Sequence, residues 1–324
     1  MKYTTAMMRM WSRLGPSGSL GAAAMELGSQ YEKTVFLTAD MTFAAGLERF
    51  RSKYPDRIYD MGISEQNMVG TAAGLASEGY QPFAVTYATF HAARSLDQIK
   101  MNLGYMKLPV KLIGLNAGFA AGILGPTHMA LEDLAAMRSI PNMTIVAPAD
   151  MTEVVKTIVA TAEYDRPMYI RLTGEMNQPS IYTEDYEFAI GKSVVLKEGT
   201  DLAIVASGTV VYNSLQAANE LEKMGISLKV INMHTLKPLD TEILDSIMAC
   251  KMIVTVEEHN VLGGLGSAVA EYMIEKKDAP QLFRIGVNDR YPHAGSYAAL
   301  LKDSGLDTNS LTERIARLYK EVTE

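Results

Sequence analysis

Cysteine is almost missing from this 324-residue chain: Cys250 stands alone. One thiol cannot close an intramolecular disulfide, so the fold must rest on packing, and a reducing, cytoplasmic setting is the expectation. Positive charge is scarce relative to negative. The chain carries 30 Lys and Arg against 37 Asp and Glu, a net charge of −7, with no basic block or Arg/Lys stripe. Nucleic acid is therefore not an expected partner. Long apolar runs are missing too. The most apolar loop-like stretch, 112–125, is too short and glycine-rich to span a bilayer, so no membrane contact is expected. The opening residues up to Arg9 lack the apolar core of a signal peptide. The five histidines (His91, His128, His234, His259 and His293) show no HxH or HExxH spacing, which argues against zinc. No P-loop and no Gly-x-Ser-x-Gly elbow occurs.

What is present is an ordinary globular composition, 48% apolar and 21% charged, with 21 methionines suited to filling core gaps. The length suggests two domains. Residues 1–20 read as irregular, with turn chemistry around Gly15-Pro16-Ser17-Gly18. After them, strands and helices alternate. Strands are expected at 34–40, 57–60, 81–85, 110–115, 143–146 and 168–171, and helices at 64–78, 88–105 and 151–162, the last capped by Asp150. Alternation of this kind predicts a mainly parallel sheet covered on both faces. The polar stretch Asn177 to Tyr186 reads as a linker. A second, smaller α/β pattern follows it, so the expected fold is α/β with two doubly wound domains.

Several residues could carry chemistry, and each has a plainer reading. Glu65 stands where a short strand ending in Asp60 gives way to a small-residue helix starting near Ser64. Ligands of open α/β sheets gather at such strand ends, but a glutamate there also suits the helix dipole. Tyr87 and Phe90, three apart at a strand-to-helix junction, could stack on a flat heterocycle or simply pack. His128 follows the loop Gly122-Ile-Leu-Gly-Pro-Thr127 at an expected helix start; it could shuttle protons or be satisfied locally. The turn Gly263-Gly-Leu-Gly266 could cradle an anion at a helix N-terminus or be only a tight turn, since the rest of a dinucleotide fingerprint is absent.

In order along the chain, the strand ending in Asp40, Gly62-Ile-Ser-Glu65-Gln-Asn67, Tyr87-Ala-Thr-Phe90, Gly125-Pro-Thr-His128 and Ile140-Pro-Asn-Met-Thr-Ile-Val-Ala-Pro-Ala-Asp150 resemble the C-terminal half of transketolase. The resemblance covers nearly the whole chain and is closest to the separately encoded C-terminal subunit of split bacterial transketolases. Deoxyxylulose-phosphate synthase and the β-subunit of 2-oxoacid dehydrogenase E1 are more distant relatives. It implies a pyrimidine-binding domain over 1–185 and a transketolase C-terminal domain over 186–324. It also implies thiamine diphosphate as cofactor. The family's Gly-Asp-Gly…Asn motif for diphosphate and Mg²⁺ is not found here, which implies that a partner chain, the diphosphate-binding N-terminal subunit, supplies the metal ligands. Glu65 would share a proton with N1′ of the aminopyrimidine, so that the 4′ nitrogen can take the proton from the thiazolium. Burial and the helix start would push its pKa in opposite directions. Tyr87, Phe90 and Ile63 would surround the pyrimidine, Asp40 would lie near the cofactor, and His128 would contact substrate. The implied assembly is a heterotetramer with two copies of each chain, and a self-dimer of this chain alone.

The departures concern the sugar. Leu124 stands where the family has an acid before Gly-Pro-Thr-His, and Asn116 where a substrate-side histidine is expected. Ser17, Ala44 and Gly174 occupy the family's phosphate-binding positions, with Arg9, Arg13 or Arg171 as conceivable replacements. The expected activity is transfer of a two-carbon ketol unit, from a ketose to an aldehyde acceptor that need not be a standard pentose phosphate. The alternatives are a decarboxylating acyloin synthase or E1 β-like subunit, and a non-catalytic partner subunit. Retention of a buried Glu65 argues against the last. A nicotinamide oxidoreductase rests only on the Gly263–Gly266 turn.

Overall fold

Strand β1, Thr34–Thr38, is buried at all five positions, and that property governs the first half of the molecule. Strands apolar on both faces must be covered on both sides, which suits parallel pairing with crossover helices. In the computed structural model, which describes residues 3–324, β1 is joined by β2 (Ile58–Asp60), β3 (Gln81–Tyr87), β4 (Lys111–Leu115), β5 (Thr144–Val146) and β6 (Met168–Arg171). The second half supplies β7 (Val194–Lys197), β8 (Leu202–Ser207), β9 (Leu228–Asn232), β10 (Thr235–Lys237), β11 (Met252–Asn260) and β12 (Gln281–Val287). The sheets run β10-β5-β6-β4-β3-β1-β2 and β12-β11-β8-β9-β7. Pairing is parallel except at β10, which adds antiparallel to β5, and at β7, antiparallel to β9. Strand β10 thus leaves the second half of the chain to complete the first sheet. The α/β class and the two mainly parallel layers are as the sequence predicts.

Four local expectations are corrected. The stretch read as irregular over 1–20, of which residues 1 and 2 lie outside the described residues, is helical from Thr5: a helix spans Thr5–Gln30, interrupted only at Gly15, where φ is 71° and Pro16 follows. The turn chemistry is real but makes a kink, and Trp11, Leu20 and Leu27 on either side are buried against Met151–Ala160 and its surroundings. The span 88–105 is not one helix. It breaks at Ser95 and ends in a π-helical turn, Ile99–Tyr105, where Gly104 lies against Ile140 and Pro141. Ser64 precedes the helix Glu65–Ser77 but does not cap it; its hydroxyl donates to the Met61 carbonyl at 2.6 Å. Lastly, His128 does not start a helix; it lies in a turn ahead of Met129. The terminal helix Thr308–Thr323, unread in the sequence, buries Leu311, Ile315 and Leu318 at helical spacing.

The polar stretch from Asn177 is irregular but firmly anchored. Asp150 caps the helix Met151–Ala160 through Glu153 N, and its other oxygen accepts from the amides of Ile181 and Tyr182 at 2.9 and 3.2 Å. Buried Glu153 accepts from the Tyr182 and Tyr186 hydroxyls and from Asn232. Those two tyrosine rings stack at 3.8 Å.

A buried ion pair of the first half also reaches the second. Arg171, at the end of β6 and 2% exposed, donates Nε to Asp133 Oδ2 at 2.8 Å. Its Nη2 reaches the carbonyls of Ala130 (2.9 Å) and Glu258 (3.0 Å), the latter on β11. Tyr169 donates to the same Asp133 oxygen at 2.7 Å. Burial pushes the Asp133 carboxyl up, but Arg171 and these hydrogen bonds outweigh it and hold it below the usual carboxylate range. Removing one partner would strand the other charge in the interior. Asp133→Ala should therefore cost about 3–5 kcal/mol, read as a lower urea midpoint, whereas an unchanged midpoint would show the pair to be dispensable.

Candidate active site

The candidate residues gather along the carboxyl edge of the first sheet. Asp40 follows β1 with φ at 57°, a left-handed conformation that needs support. Asp60, at the end of β2, provides it: its Oδ1 accepts from the amides of Asp40 (2.9 Å) and Gly62 (3.0 Å). That leaves the Asp40 side chain exposed at the edge. Ile63 projects outward, 74% exposed, beside Glu65, which is only 5% exposed. Asn116, after β4, also has positive φ, 51°, and is half-buried.

Glu65 is buried but only half satisfied. Its Oε1 accepts from Arg94 Nη1 at 3.0 Å, and among the described residues this is the one hydrogen bond its carboxylate makes. It lines an open depression of about 490 Å³ with Ile63, Ser64, Gln66, Asn67 and Arg94. The Arg94 guanidinium lies 3.8 Å from the centre of the Phe90 ring, within cation–π range. Phe90, Tyr87 and His128 form an edge-to-face triangle, with centroids 5.4 to 5.6 Å apart. The His128 Nδ1 lies 2.9 Å from the Thr127 hydroxyl, and the ring is half-buried. Glu65, Arg94, Phe90, Tyr87 and His128 are therefore one contiguous group. Arg94 was missed from sequence because an arginine late in a polar-tinted helix reads as a solvated side chain. Its signal was its place four residues after Phe90, on the same helical face.

These residues suit a flat, hydrogen-bonding heterocycle. A buried carboxylate has an oxygen without a partner on this chain, facing open space beside aromatic rings. Among the described residues no group of three His, Cys, Asp or Glu side chains could hold a metal ion. No helix of the described residues is long and apolar enough to cross a membrane.

The second glycine turn is already filled. Glu257, fully buried on β11, accepts from Leu265 N (2.7 Å) and Gly266 N (2.8 Å). Its own carboxylate occupies the helix N-terminus, which leaves no anion nest and removes the support for a nicotinamide site. Arg171 is likewise committed to Asp133 and cannot serve a sugar phosphate. Gly174 has φ at 88°, and a Cβ there would lie 2.9 Å from Thr209 Cγ2. Ser17 backs onto the Gly46 turn, and the Gly15 kink touches the backbone of Glu175 and Met176. The segments carrying Ser17, Ala44 and Gly174 thus converge without contributing a cation from those positions. Arg9 and Arg13 remain exposed on the first helix.

An edge of acidic, aromatic and imidazole side chains on a mainly parallel sheet, joined to a second sheet of the same kind, defines the class as an α/β protein of two mainly parallel sheets. Residues 17–178 match the transketolase pyrimidine-binding domain, and 191–311 the transketolase C-terminal domain. The chain belongs to the transketolase family, which implies thiamine diphosphate use. It is 39% identical over 303 residues to a putative transketolase C-terminal section of Methanocaldococcus jannaschii, covering 93% of this chain and 95% of that one. It is 38% identical over 303 residues to a 6-deoxy-6-sulfo-D-fructose transketolase subunit of a Clostridium species, covering 93% and 92%. A solved split-gene transketolase, described as an inactive β4 tetramer, superposes with a TM-score of 0.85 at 39% identity, covering 95% of this chain and 98% of that chain.

Buried titrating groups near the site make stability depend on pH. Burial holds the imidazoles of His91 and His259 down at about 4, below the usual 6.5, and pushes Glu257 up to about 7. Between pH 6.5 and 4 the unfolded chain binds two imidazole protons that the native chain refuses, so these two groups contribute stability that is lost as pH drops. Glu257 and Asp150, the latter pushed by burial up to about 6, act oppositely: their contribution is lost as pH rises through their native values. The two kinds of group offset each other in the wild type, and removing one member unmasks it. The urea midpoint of His91→Gln should rise relative to that of the wild type as pH is lowered from 6.5 toward 4. A difference between the two midpoints that stays constant over this range would contradict the assignment.

Proposed function

We propose that this chain is one of two polypeptides of a thiamine-diphosphate-dependent transketolase that moves a two-carbon ketol unit from a ketose to an aldehyde. The observation that carries this reading is the half-satisfied carboxylate of Glu65, held by Arg94 against the aromatic triangle. Its free oxygen would exchange a proton with N1′ of the aminopyrimidine. Ile63, Tyr87 and Phe90 would enclose the ring and exclude water, and Asp40 would lie close to the cofactor. When bound, thiamine diphosphate supplies the carbon nucleophile and the electron sink. His128, at the open corner of the triangle, would donate to the substrate's carbonyl oxygen and later recover the proton; Asn116 would hydrogen-bond the sugar beside it.

The diphosphate and Mg²⁺ would be held by a partner chain bearing the Gly-Asp-Gly…Asn motif. The assembly would be a heterotetramer in the cytoplasm, serving carbohydrate metabolism. The name of the β4 relative supports self-association without turnover for this chain alone. The domain division would fall near residue 185, within the anchored stretch. The uncharged positions Ser17, Ala44 and Gly174 and the internal commitment of Arg171 favour a sugar whose distal end is not gripped as a phosphate by these positions. The relative named for a sulfo-sugar supports such divergence.

Co-expression with a chain bearing that motif should yield ketol transfer across a panel of ketoses, and Glu65→Gln should lower kcat about 10²–10⁴-fold without loss of assembly. Retained turnover in both Glu65→Gln and Glu65→Ala would favour a non-catalytic role. Calorimetry on the chain alone should show only weak cofactor binding. Efficient use of xylulose 5-phosphate with ribose 5-phosphate would contradict the remodelled distal end.

A further inference from the structure

The C-terminal half carries no reactive group at the site, yet it grips the one loop that bears His128. That loop, residues 116–131, is closed on itself by Gly118 N donating to Ala130 O at 3.0 Å. Five contacts then fasten it to the rest of the chain. Ala117 N donates to Leu172 O at 3.0 Å. Phe119 N donates to Glu258 Oε1 at 2.6 Å. Gly295 N donates to Gly122 O at 3.1 Å, and Asn260 N to Leu131 O at 2.8 Å. Arg171 bonds the carbonyls of Ala130 and Glu258 together. Three of these five partners, Glu258, Asn260 and Gly295, lie in the second half of the chain. On either side of His128, Phe119, Met129 and Leu131 are sunk into the core beneath the second sheet.

Glu258 is the centre of this clamp. It is 1% exposed, and its second oxygen accepts from the Tyr297 hydroxyl at 2.5 Å and the Thr209 hydroxyl at 3.2 Å. Gly118 has φ at 61°, and a Cβ there would overlap the Glu258 carboxylate. The loop backbone is thus moulded around this side chain. A buried carboxylate with every oxygen engaged has few alternative arrangements, so it fixes what it holds.

We propose that Glu258, oriented by Tyr297 and Thr209, is a positioning residue that sets where the His128 imidazole stands. This rests on the reading that His128 faces substrate. It gives the C-terminal domain a part in the reaction: holding the 116–131 loop in register with Tyr87 and Phe90. Displacing a proton-transferring group by an ångström costs about 10²-fold in rate, so a clamp remote from the chemistry can matter to it.

The test has two arms. In the full-length chain with isotope-labelled histidines, the His128 ring resonance is identified by its loss in His128→Gln. Glu258→Leu should shift or broaden that resonance while the exposed His293 signal stays in place. Glu258→Gln, which can still accept from Phe119 N, should restore it. An unmoved His128 signal in folded Glu258→Leu would overturn the proposal. Should Glu258→Leu not fold, Tyr297→Phe, which removes one hydroxyl, carries the same expectation and the same overturning result. The second arm is a double-mutant cycle in the two-chain enzyme. Glu258→Leu should lower kcat/KM about 10²-fold in the wild-type background and only about 2-fold once His128 is alanine. Fully additive losses would overturn the proposal. If the assembled wild type transfers no ketol unit from any ketose, the function reading fails, while the resonance arm still decides the positioning.

Discussion

Arg171 is buried, and the joint between the two sheets is arranged around that requirement. A guanidinium cannot lose its proton, so an interior arginine needs an anion and further acceptors. Asp133 supplies the charge, and the carbonyls of Ala130 and Glu258 take up Nη2. Those acceptors belong to a helix, a loop and a strand of the second sheet. Satisfying one side chain therefore fixes the relation between both sheets and the loop that carries His128. Strand β10 reinforces the same joint by completing the first sheet from the second half of the chain.

The buried carboxylates fall into two kinds. Asp133, Asp150, Glu153, Glu257 and Glu258 all draw hydrogen bonds from this chain, several from two or three donors. They are internal fittings: a helix cap, the anchor of residues 177–186, a plugged helix terminus and a loop clamp. Glu65 differs in what surrounds it. One oxygen is matched by Arg94, and the other lines an open depression, whereas the unpartnered Oδ1 of Asp133 is sealed in the interior, 3.9 Å from His259 Nε2. An unmatched oxygen that opens outward can be completed by another molecule; one sealed inside cannot. That opening, more than burial or hydrogen-bond satisfaction alone, sets Glu65 apart from the other buried carboxylates.

The sugar end follows a similar division. Arg171 resembles a candidate phosphate ligand in one dimension because it lies near Gly174. In three dimensions it points inward and is consumed by Asp133. Of the other positions, Ser17 is half-buried, Ala44 exposed and Gly174 buried; all three are small and uncharged, and the backbone at Gly174 disfavours any larger residue.

The alternation of buried strands and amphipathic helices was legible in sequence because apolar periodicity reports burial directly. So were Glu65, Tyr87, Phe90 and His128, whose spacing forms an ordered set of motifs. Punctuation was less faithful. Gly15-Pro16 marked a kink and not a loop, because the residues flanking it had a helix to pack against. The Gly263–Gly266 turn looked open to an anion, because nothing local announces that Glu257, several residues upstream, will fill it. Arg94 and Glu258 were silent for the same reason: each acts on a group far from it in sequence. Sequence by itself determined which elements form and which side chains the strand ends present. Only tertiary structure decided which charges are spent inside the protein and which are left for a ligand, since hydrogen-bond satisfaction depends on neighbours that the chain brings together only by folding.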